Sequence, residues 1–507
     1  MLWRNKYVEL AVVICLSAVA FACYQAIPVF PDPDSFYHAR LAAMMVEQGL
    51  VWQFPWLPFT TLGQSFADHH LLYHIFLMPF VVGQNPIIGV KVAQVVLATI
   101  LTVTCYLVLK RWHVPYAAPA LVLLYSAYPM LVRVNLVKAS AVAIILFVIL
   151  LVTLIERRYA TAGVITVVYS MTHGGFFLAA LLAVVVWCAE WVVRSVQQQR
   201  ITWPKPTGIV TVGLGMVIGV LLNPYFPANI SFLWAQFFQI GVVNYSDTIE
   251  VGAEWYPFAL PDLVSVLSIL LVLAVGMITI VVTQYHRVLR DVRVVSLLLL
   301  LPPLVLLTLR SRRFIEYLVP VLWLGLCLVV LPAWQQGVLQ RWWATLTRRL
   351  GRWAQALKVY LLLAASFAVV YPFYSVVQNF RSQEPLDRLT AATNYLQNQV
   401  PAGAVIFHGK WDDFPELFYG DPSHAYIVGL DPTFLYLADQ TQYQHWADVS
   451  NGTAKTNSAA DIRQYFQSNY VIIDTQDDRT KLLLAYLLRD RTVQTVFNQD
   501  HVVIFKL

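Results

Sequence analysis

The stretch FPDPDSFYHARLAAMM, residues 30–45, decides how the rest of the chain is read. It follows an apolar run that begins near Tyr7 and is long enough, at roughly 20 residues, for a helix to cross a bilayer. Asp32 and Asp34 stand where that run gives way to polar sequence, and a second acidic stretch, ADHHLLYH at 67–74, comes soon after. Carboxylates at the edge of a low-dielectric region exert strong fields and can accept a proton or bind a cation. A solvated helix cap would also place an Asp here.

Composition sets the class. Of the 507 residues, 59% are hydrophobic and 12% charged. The mean hydropathy is +0.62. Such a chain buries its apolar surface in lipid, so a polytopic α-helical membrane protein is expected. Apolar runs start near Tyr7, Pro86, Val114, Val137, Tyr159, Gly174, Pro206, Pro261, Val294, Phe314 and Val359. They predict about 11 transmembrane helices. The run from Leu71 to Val82 is shorter and reads as an interfacial or re-entrant helix. The five cysteines all lie in apolar runs, as small core hydrophobes do. The N-terminal run is too long for a signal peptide and lacks a small-residue cleavage site, so it reads as a retained span.

Basic residues orient the chain. Arg4 and Lys6, KRWH (110–113), Arg157 and Arg158, RSVQQQRITWPK (194–205), HRVLRDVR (286–293) and QRWWATLTRRLGRWAQALK (340–358) fall on alternate loops. The positive-inside rule makes those loops cytoplasmic. Loops 30–85 and 241–260 and everything beyond residue 376 are then expected outside. Most of the net charge of +6 is topology and lipid headgroup contact, and nucleic acid is not an expected partner. The segment 340–358, rich in Trp and Arg, suits an amphipathic helix on the cytoplasmic leaflet.

The expected division is a transmembrane domain over 1–376 and an extracytoplasmic α/β domain over 377–507. In the latter, LDRLTAATNYLQNQV and AADIRQYFQ read as helices, GAVIFH and YVIID as buried strands, and QTVFNQDHVVIFKL as a closing hairpin.

Against this topology Arg40, Arg133, Lys138, Arg310, Arg312 and Arg313 stand on the outer side, where the rule disfavours them. They either serve an anionic ligand, pair with outer acids, or snorkel at span ends. Clustered guanidinium groups bind phosphate oxygens bidentately. Glu254 lies in an outer loop among Trp255, Tyr256 and Pro257. Asp68, His69 and His70, with His74 one turn on, are ordinary metal-ligand types, although their spacing matches no dedicated zinc signature. In KWDDFPELFY (410–419), Trp411, Asp412 and Asp413 combine an aromatic face with carboxylates. They suit sugar or peptide binding, or equally a core tryptophan with helix caps.

In this order and sidedness the motifs resemble the GT-C glycosyltransferases, above all the oligosaccharyltransferase catalytic subunit of the single-subunit bacterial and archaeal type. DSFYHAR (34–40) is similar to that family's first acidic motif, GAEWYP (252–257) to its Glu-bearing outer loop, and RRFIEYLVPV (312–321) to the span whose Arg contacts the lipid-linked diphosphate. THGGFF (172–177) resembles its Gly-Gly-aromatic turn. Two motifs depart. RVNLVKASAVAI (133–144) has Ser140 and Val142 where the second acidic motif should stand. GKWDDFPELFYG (409–420) has Lys410 in place of the first Trp of the sequon-recognising motif.

The resemblance implies an inverting transfer of a sugar or oligosaccharide from a polyprenyl-(di)phosphate donor to a protein, peptide or lipid acceptor on the outer face. It implies Asp34 and Glu254 as catalytic, with Arg313, Arg312 and Arg310 on the donor phosphate. Asp34, Glu254, Asp68, His69 and His70 would hold a divalent cation, Mn or Mg, and Trp411, Asp412 and Asp413 would bind the acceptor. A bacterial plasma membrane, with membrane lipids as surroundings, is the expected location. One rival is transfer from a polyprenyl monophosphate to a hydroxyl, which the lost acidic motif favours. Another is a non-catalytic lipid-glycan binding or transport protein. A transporter should carry ionisable groups near the bilayer midplane, whereas these acids gather at the outer boundary.

Overall fold

The computed structural model describes residues 6–83, 85–454 and 457–507. Arg4, one of the residues that orient the chain, lies outside the described residues. Among those residues six helices are long and apolar enough to cross a membrane: Tyr7–Gln25, Pro86–Arg111, Gly174–Gln198, Val292–Arg310, Arg312–Gln335 and Trp353–Arg381. Two bent pairs, Ala117–Tyr125 with Tyr128–Asn135 and Leu260–Val266 with Ser268–Thr283, turn by 90° and 86° at their breaks. They bring the number to eight if each is one span. The remaining runs form shorter helices, among them Ser140–Ile155, Tyr159–Ser170 and Thr207–Leu222. A helix of 16 residues, such as Ser140–Ile155, rises only about 24 Å, short of the roughly 30 Å hydrocarbon core.

Burial separates the helices that form the core from those that face lipid. In its most apolar window Arg312–Gln335 is 89% buried, whereas Trp353–Arg381 is 12% and Tyr7–Gln25 22% buried. A helix apolar on all sides belongs at the centre of a bundle or in a membrane. The first helix takes the centre. The other two leave leucine, valine and aromatic side chains uncovered by protein, which water would not tolerate over such an area. This is an integral membrane protein.

Contacts divide the chain into two compact units. The first contains Met1–Ile27, Val92–Leu222 and Ala253–Ser382. The second contains Pro28–Lys91, Asn223–Gly252 and Gln383–Leu507, so it gathers the loop 30–85 and part of 241–260 together with the C-terminal segment.

In the first unit, Pro129 stands in the first turn of Tyr128–Asn135, where its missing N–H costs nothing. The break before it re-aims a short helix that carries Arg133. The turn 311–314 joins the antiparallel helices Val292–Arg310 and Ile315–Gln335.

In the second unit, a five-stranded mixed sheet is built from β1 (Val405–His408), β2 (Ala425–Tyr426), β3 (Tyr470–Asp474), β4 (Gln494–Gln499) and β5 (Val502–Lys506). Its order is β2-β1-β3-β5-β4. Strand β1 pairs parallel with β2 and β3, and β5 pairs antiparallel with β3 and β4. The hairpin predicted at the C-terminus is present. Asp500 and His501, with φ of 51° and 64°, make its two-residue turn. Positive φ at both turn residues matches the right-handed twist of the flanking strands. Predicted helices appear at Thr390–Gln399 and Ser458–Phe466. Helix Asp34–Gln48, buried from Ser35 to Ala39, packs on helices Leu71–Val81 and Phe414–Gly420. The loop between these helices is tied to the sheet edge: Tyr426 N–H donates to Trp56 O (2.8 Å), and Trp56 Nε1–H to Pro422 O (2.7 Å).

Candidate functional site

The sequence-predicted residues are distributed over both units. In the first unit the centre is Arg133. Its Nη1 lies 2.5 Å from Glu254 Oε2, and its Nη2 lies 2.7 Å from Glu316 Oε2. Arg313 takes the other Glu254 oxygen, Nη1 to Oε1 at 3.0 Å, and lies over the Trp255 ring at 5.0 Å. Each Glu254 oxygen therefore faces a guanidinium.

The loop that presents Glu254 is pinned to the turn that presents Arg313. Ser311 Oγ donates to Glu254 O (2.9 Å), and Arg312 N–H donates to Tyr256 O (3.0 Å). Burial pushes the Glu254 carboxyl up, but Arg313 and Arg133, with Lys138, outweigh it and hold its pKa well below the usual range. Glu316 is fully buried, and its Oε1 has no hydrogen-bond partner.

His173 completes the cluster with Nε2 3.0 Å from Arg313 Nη2, while its Nδ1 accepts from Gly175 N–H at 2.9 Å. A neutral imidazole has one donor and one acceptor nitrogen, so a single tautomer serves only one of these two donors. Gly175 is required here for space. A Cβ would come within 2.7 Å of the Tyr317 hydroxyl and 2.8 Å of His173 Nδ1. Of the three arginines expected on a phosphate, Arg313 joins the cluster. Arg312 donates instead to Pro257 O (3.2 Å) and lies over Phe258, and Arg310 is exposed at the helix end.

In the second unit, Asp34 opens its helix with its N–H on Asp32 Oδ1 at 3.0 Å. His38, four residues on, shares its face. His38 Nδ1 lies 2.8 Å from His74 Nε2, and His74 Nδ1 lies 2.7 Å from Asp68 Oδ2. The second Asp68 oxygen accepts from His70 N–H at 2.9 Å. His69 stacks on Phe232, and the chain Asp68–His74–His38 is buried throughout.

A divalent cation would need carboxylate oxygens not already engaged by the protein. Glu254 and Asp68 have both oxygens engaged, Glu254 by guanidinium groups and Asp68 by an imidazole and a backbone N–H. Among the described residues no three His, Cys, Asp or Glu side chains are grouped so as to hold a metal ion. Within each unit, Glu254 and Asp68 are thus already partnered by protein groups.

In the C-terminal segment Asp413 is committed to Arg388 at 2.7 Å, beside Glu416 (2.9 Å) and Asp474 (2.9 Å). Three carboxylates on one guanidinium leave an excess of negative charge. Burial pushes Glu416 up to about 7 against the pull of Arg388. Burial likewise raises Asp412 to about 6, opposed by Lys410 and Arg479. Trp411 is half-buried, with its indole N–H unpartnered. Asp413 thus joins a structural ion network, and Asp412 pairs with Arg479 (3.5 Å) and Lys410 (3.9 Å).

Sequence reading missed Glu316 and the central position of Arg133. The available signal was an acid one turn inside an otherwise apolar span, in RRFIEYLV. It also missed the ordering of His38 by His74, which no local pattern shows, because the two come from separate helices.

No protein-family model matches the chain, and no curated protein sequence matches it significantly. Solved structures do. The Archaeoglobus fulgidus oligosaccharyltransferase AglB, in complex with an inhibitory peptide and a dolichol-phosphate, is 13% identical with a TM-score of 0.65, over 94% of this chain and 70% of that one. ArnT from Cupriavidus metallidurans bound to undecaprenyl phosphate is 12% identical, with a TM-score of 0.56, over 99% and 98%. The mycobacterial arabinofuranosyltransferase AftD is 13% identical, with a TM-score of 0.54, over 98% and 39%. All three are GT-C glycosyltransferases. The chain shares the fold of the GT-C superfamily of membrane glycosyltransferases.

Proposed function

We propose that the protein is a membrane glycosyltransferase that takes a sugar or oligosaccharide from a polyprenyl-phosphate or -diphosphate carrier and passes it to an acceptor on the outer face. The observation that carries this reading is the pair of guanidinium groups, Arg133 and Arg313, closing on Glu254 in a chain with this fold. Arginine presents fixed, permanently charged donors that match phosphate oxygens. Two neighbours on the same fold support a polyprenyl phosphate as carrier, since their structures contain a dolichol-phosphate and an undecaprenyl phosphate.

In the proposed reaction the acceptor heteroatom attacks the anomeric carbon. A bond forms there, and the bond from that carbon to the carrier phosphate oxygen breaks on the opposite face, with inversion. Asp34 receives the acceptor proton as general base. Arg313, with Arg133 behind Glu254, meets the charge that develops on the departing phosphate, an electrostatic stabilisation that needs no reorganisation. Trp411 and Asp412 receive the acceptor. Because Glu254 faces guanidinium groups, no step is routed through a divalent cation.

A second reading, transfer from a polyprenyl monophosphate to a lipid or protein hydroxyl, is favoured by Ser140 and Val142 at the second acidic motif. The deciding experiment supplies purified protein in nanodiscs with monophosphate- and diphosphate-linked donors in parallel, with a peptide or a hydroxyl-bearing lipid as acceptor. Product from the diphosphate donor supports the first reading. Product from the monophosphate donor alone supports the second.

A further inference from the structure

The cluster around Arg133 lies near one end of the helices Val292–Arg310 and Ile315–Gln335. At their other ends the first unit holds a cavity of about 240 Å³. Trp112, His113, Arg287, Asp291, Arg293 and Gln336 line its polar part. Ile280, Leu328 and Pro332 contribute an apolar wall. These segments end or begin in the basic loops expected on the cytoplasmic side.

The polar lining is short of acceptors. Asp291, its one acid, is spent on Arg293, Nη2 to Oδ2 at 2.6 Å, and caps the helix that starts there. Arg293 Nη1 donates onward to Trp112 O (3.3 Å), and Arg287 Nη1 to Gln336 Oε1 (3.1 Å). Arg287 adds a charge that no acid in the lining balances.

A second feature continues from the same place. Helix Val338–Leu350 follows Gln336 directly, carries Arg341, Arg348 and Arg349 with Trp342 and Trp343, and has no buried residue. A basic, aromatic helix with no protein cover suits an anionic lipid surface.

We propose that this cavity binds the phosphate headgroup of an anionic phospholipid of the adjoining leaflet. The phosphate oxygens accept from Arg287 and Arg293, and the acyl chains lie along the Ile280 and Leu328 wall. Helix Val338–Leu350 rests on the same lipid surface. This site is distinct from any donor carrier at the Arg133 cluster, since the two lie at opposite ends of the same helices.

The test is thermal unfolding of the full-length protein, delipidated and reconstituted with phosphatidylcholine alone, with added phosphatidylglycerol, or with inorganic phosphate, for wild type and Arg287→Gln. Arg287 is exposed, so the variant should match wild type in phosphatidylcholine. Phosphatidylglycerol is expected to raise the wild-type Tm, and the variant to lose at least half of that shift. Native mass spectrometry should show phosphatidylglycerol retained by wild type and depleted in Arg287→Gln. Equal stabilisation by phosphatidylcholine, a full shift retained in the variant, or the same shift from inorganic phosphate would each overturn the proposal.

Discussion

At the residue scale the account turns on which carboxylates are committed to structure and which are left for chemistry. Glu316 is fully buried and relies on Arg133. Removing Arg133 strands that charge, and breaking a buried pair costs about 3–5 kcal/mol. Arg133→Ala should therefore lower the Tm strongly, and the double variant Arg133→Ala/Glu316→Gln should recover most of the loss. A double variant no more stable than the single one would show that the pair is not what Arg133 supports. Asp34 has the opposite expectation. Asp34→Ala should leave the Tm and donor binding intact while lowering transfer by about 10²-fold or more, the range for loss of a general base.

A pH effect also belongs to this scale. The folded-state pKa values of Glu416, about 7, and Asp412, about 6, lie above their ordinary values of 4.5 and 3.8. The fold thus favours their protonated forms. Their stabilising contribution is complete below the ordinary values and is lost as pH rises through 6 to 7. The Tm should fall between pH 5 and pH 8, and Glu416→Gln should flatten that dependence. An unchanged slope in the variant would assign it to other groups.

At the element scale, strands β1 and β3, the β4–β5 hairpin and helices Thr390–Gln399 and Ser458–Phe466 were legible because their signals are local, whereas β2 and helices such as Phe414–Gly420, Gln440–Ser450 and Lys481–Arg489 were not. Short continuous apolar runs mark β1 and β3, and turn chemistry and length mark the β4–β5 hairpin. The transmembrane count was less legible. Hydropathy registers the apolar run but not the break within it. Ser126–Ala127, ahead of Pro129, turns one run into two helices at 90°, and the apolar helix Ser140–Ile155, at 16 residues, is shorter than the six long apolar helices. Site residues followed the same rule. Asp34, Glu254 and Arg313 were readable as charges out of place. Their partners Glu316, His173 and His74 depend on which helices meet.

The HGGFF turn shows what such a meeting demands. Gly175→Ala should drive a methyl against Tyr317 and His173 and displace the imidazole from Arg313. Transfer should fall, with the apparent KM for donor rising more than kcat drops. A normal KM would place the turn outside the donor site.

At the scale of the whole molecule, the fold is shared with GT-C enzymes at only 12–13% identity in the neighbours named above. Arg133, Arg313 and Glu254 meet near one end of helices Val292–Arg310 and Ile315–Gln335, and basic loops gather at the other ends of the same helices. A guanidinium from Arg133 faces Glu254. Transfer is accordingly expected to persist in EDTA, and activity restored only by Mn²⁺ would show that a cation displaces that guanidinium during turnover.

The most direct test of the central claim is glycan transfer by the purified protein in lipid, from a mixed pool of polyprenyl-linked sugars, comparing wild type with Asp34→Ala. The account predicts product from wild type and none above background from the variant, with both retaining bound donor. Bound donor with no transfer to any acceptor by wild type, or equal transfer by both proteins, would contradict it.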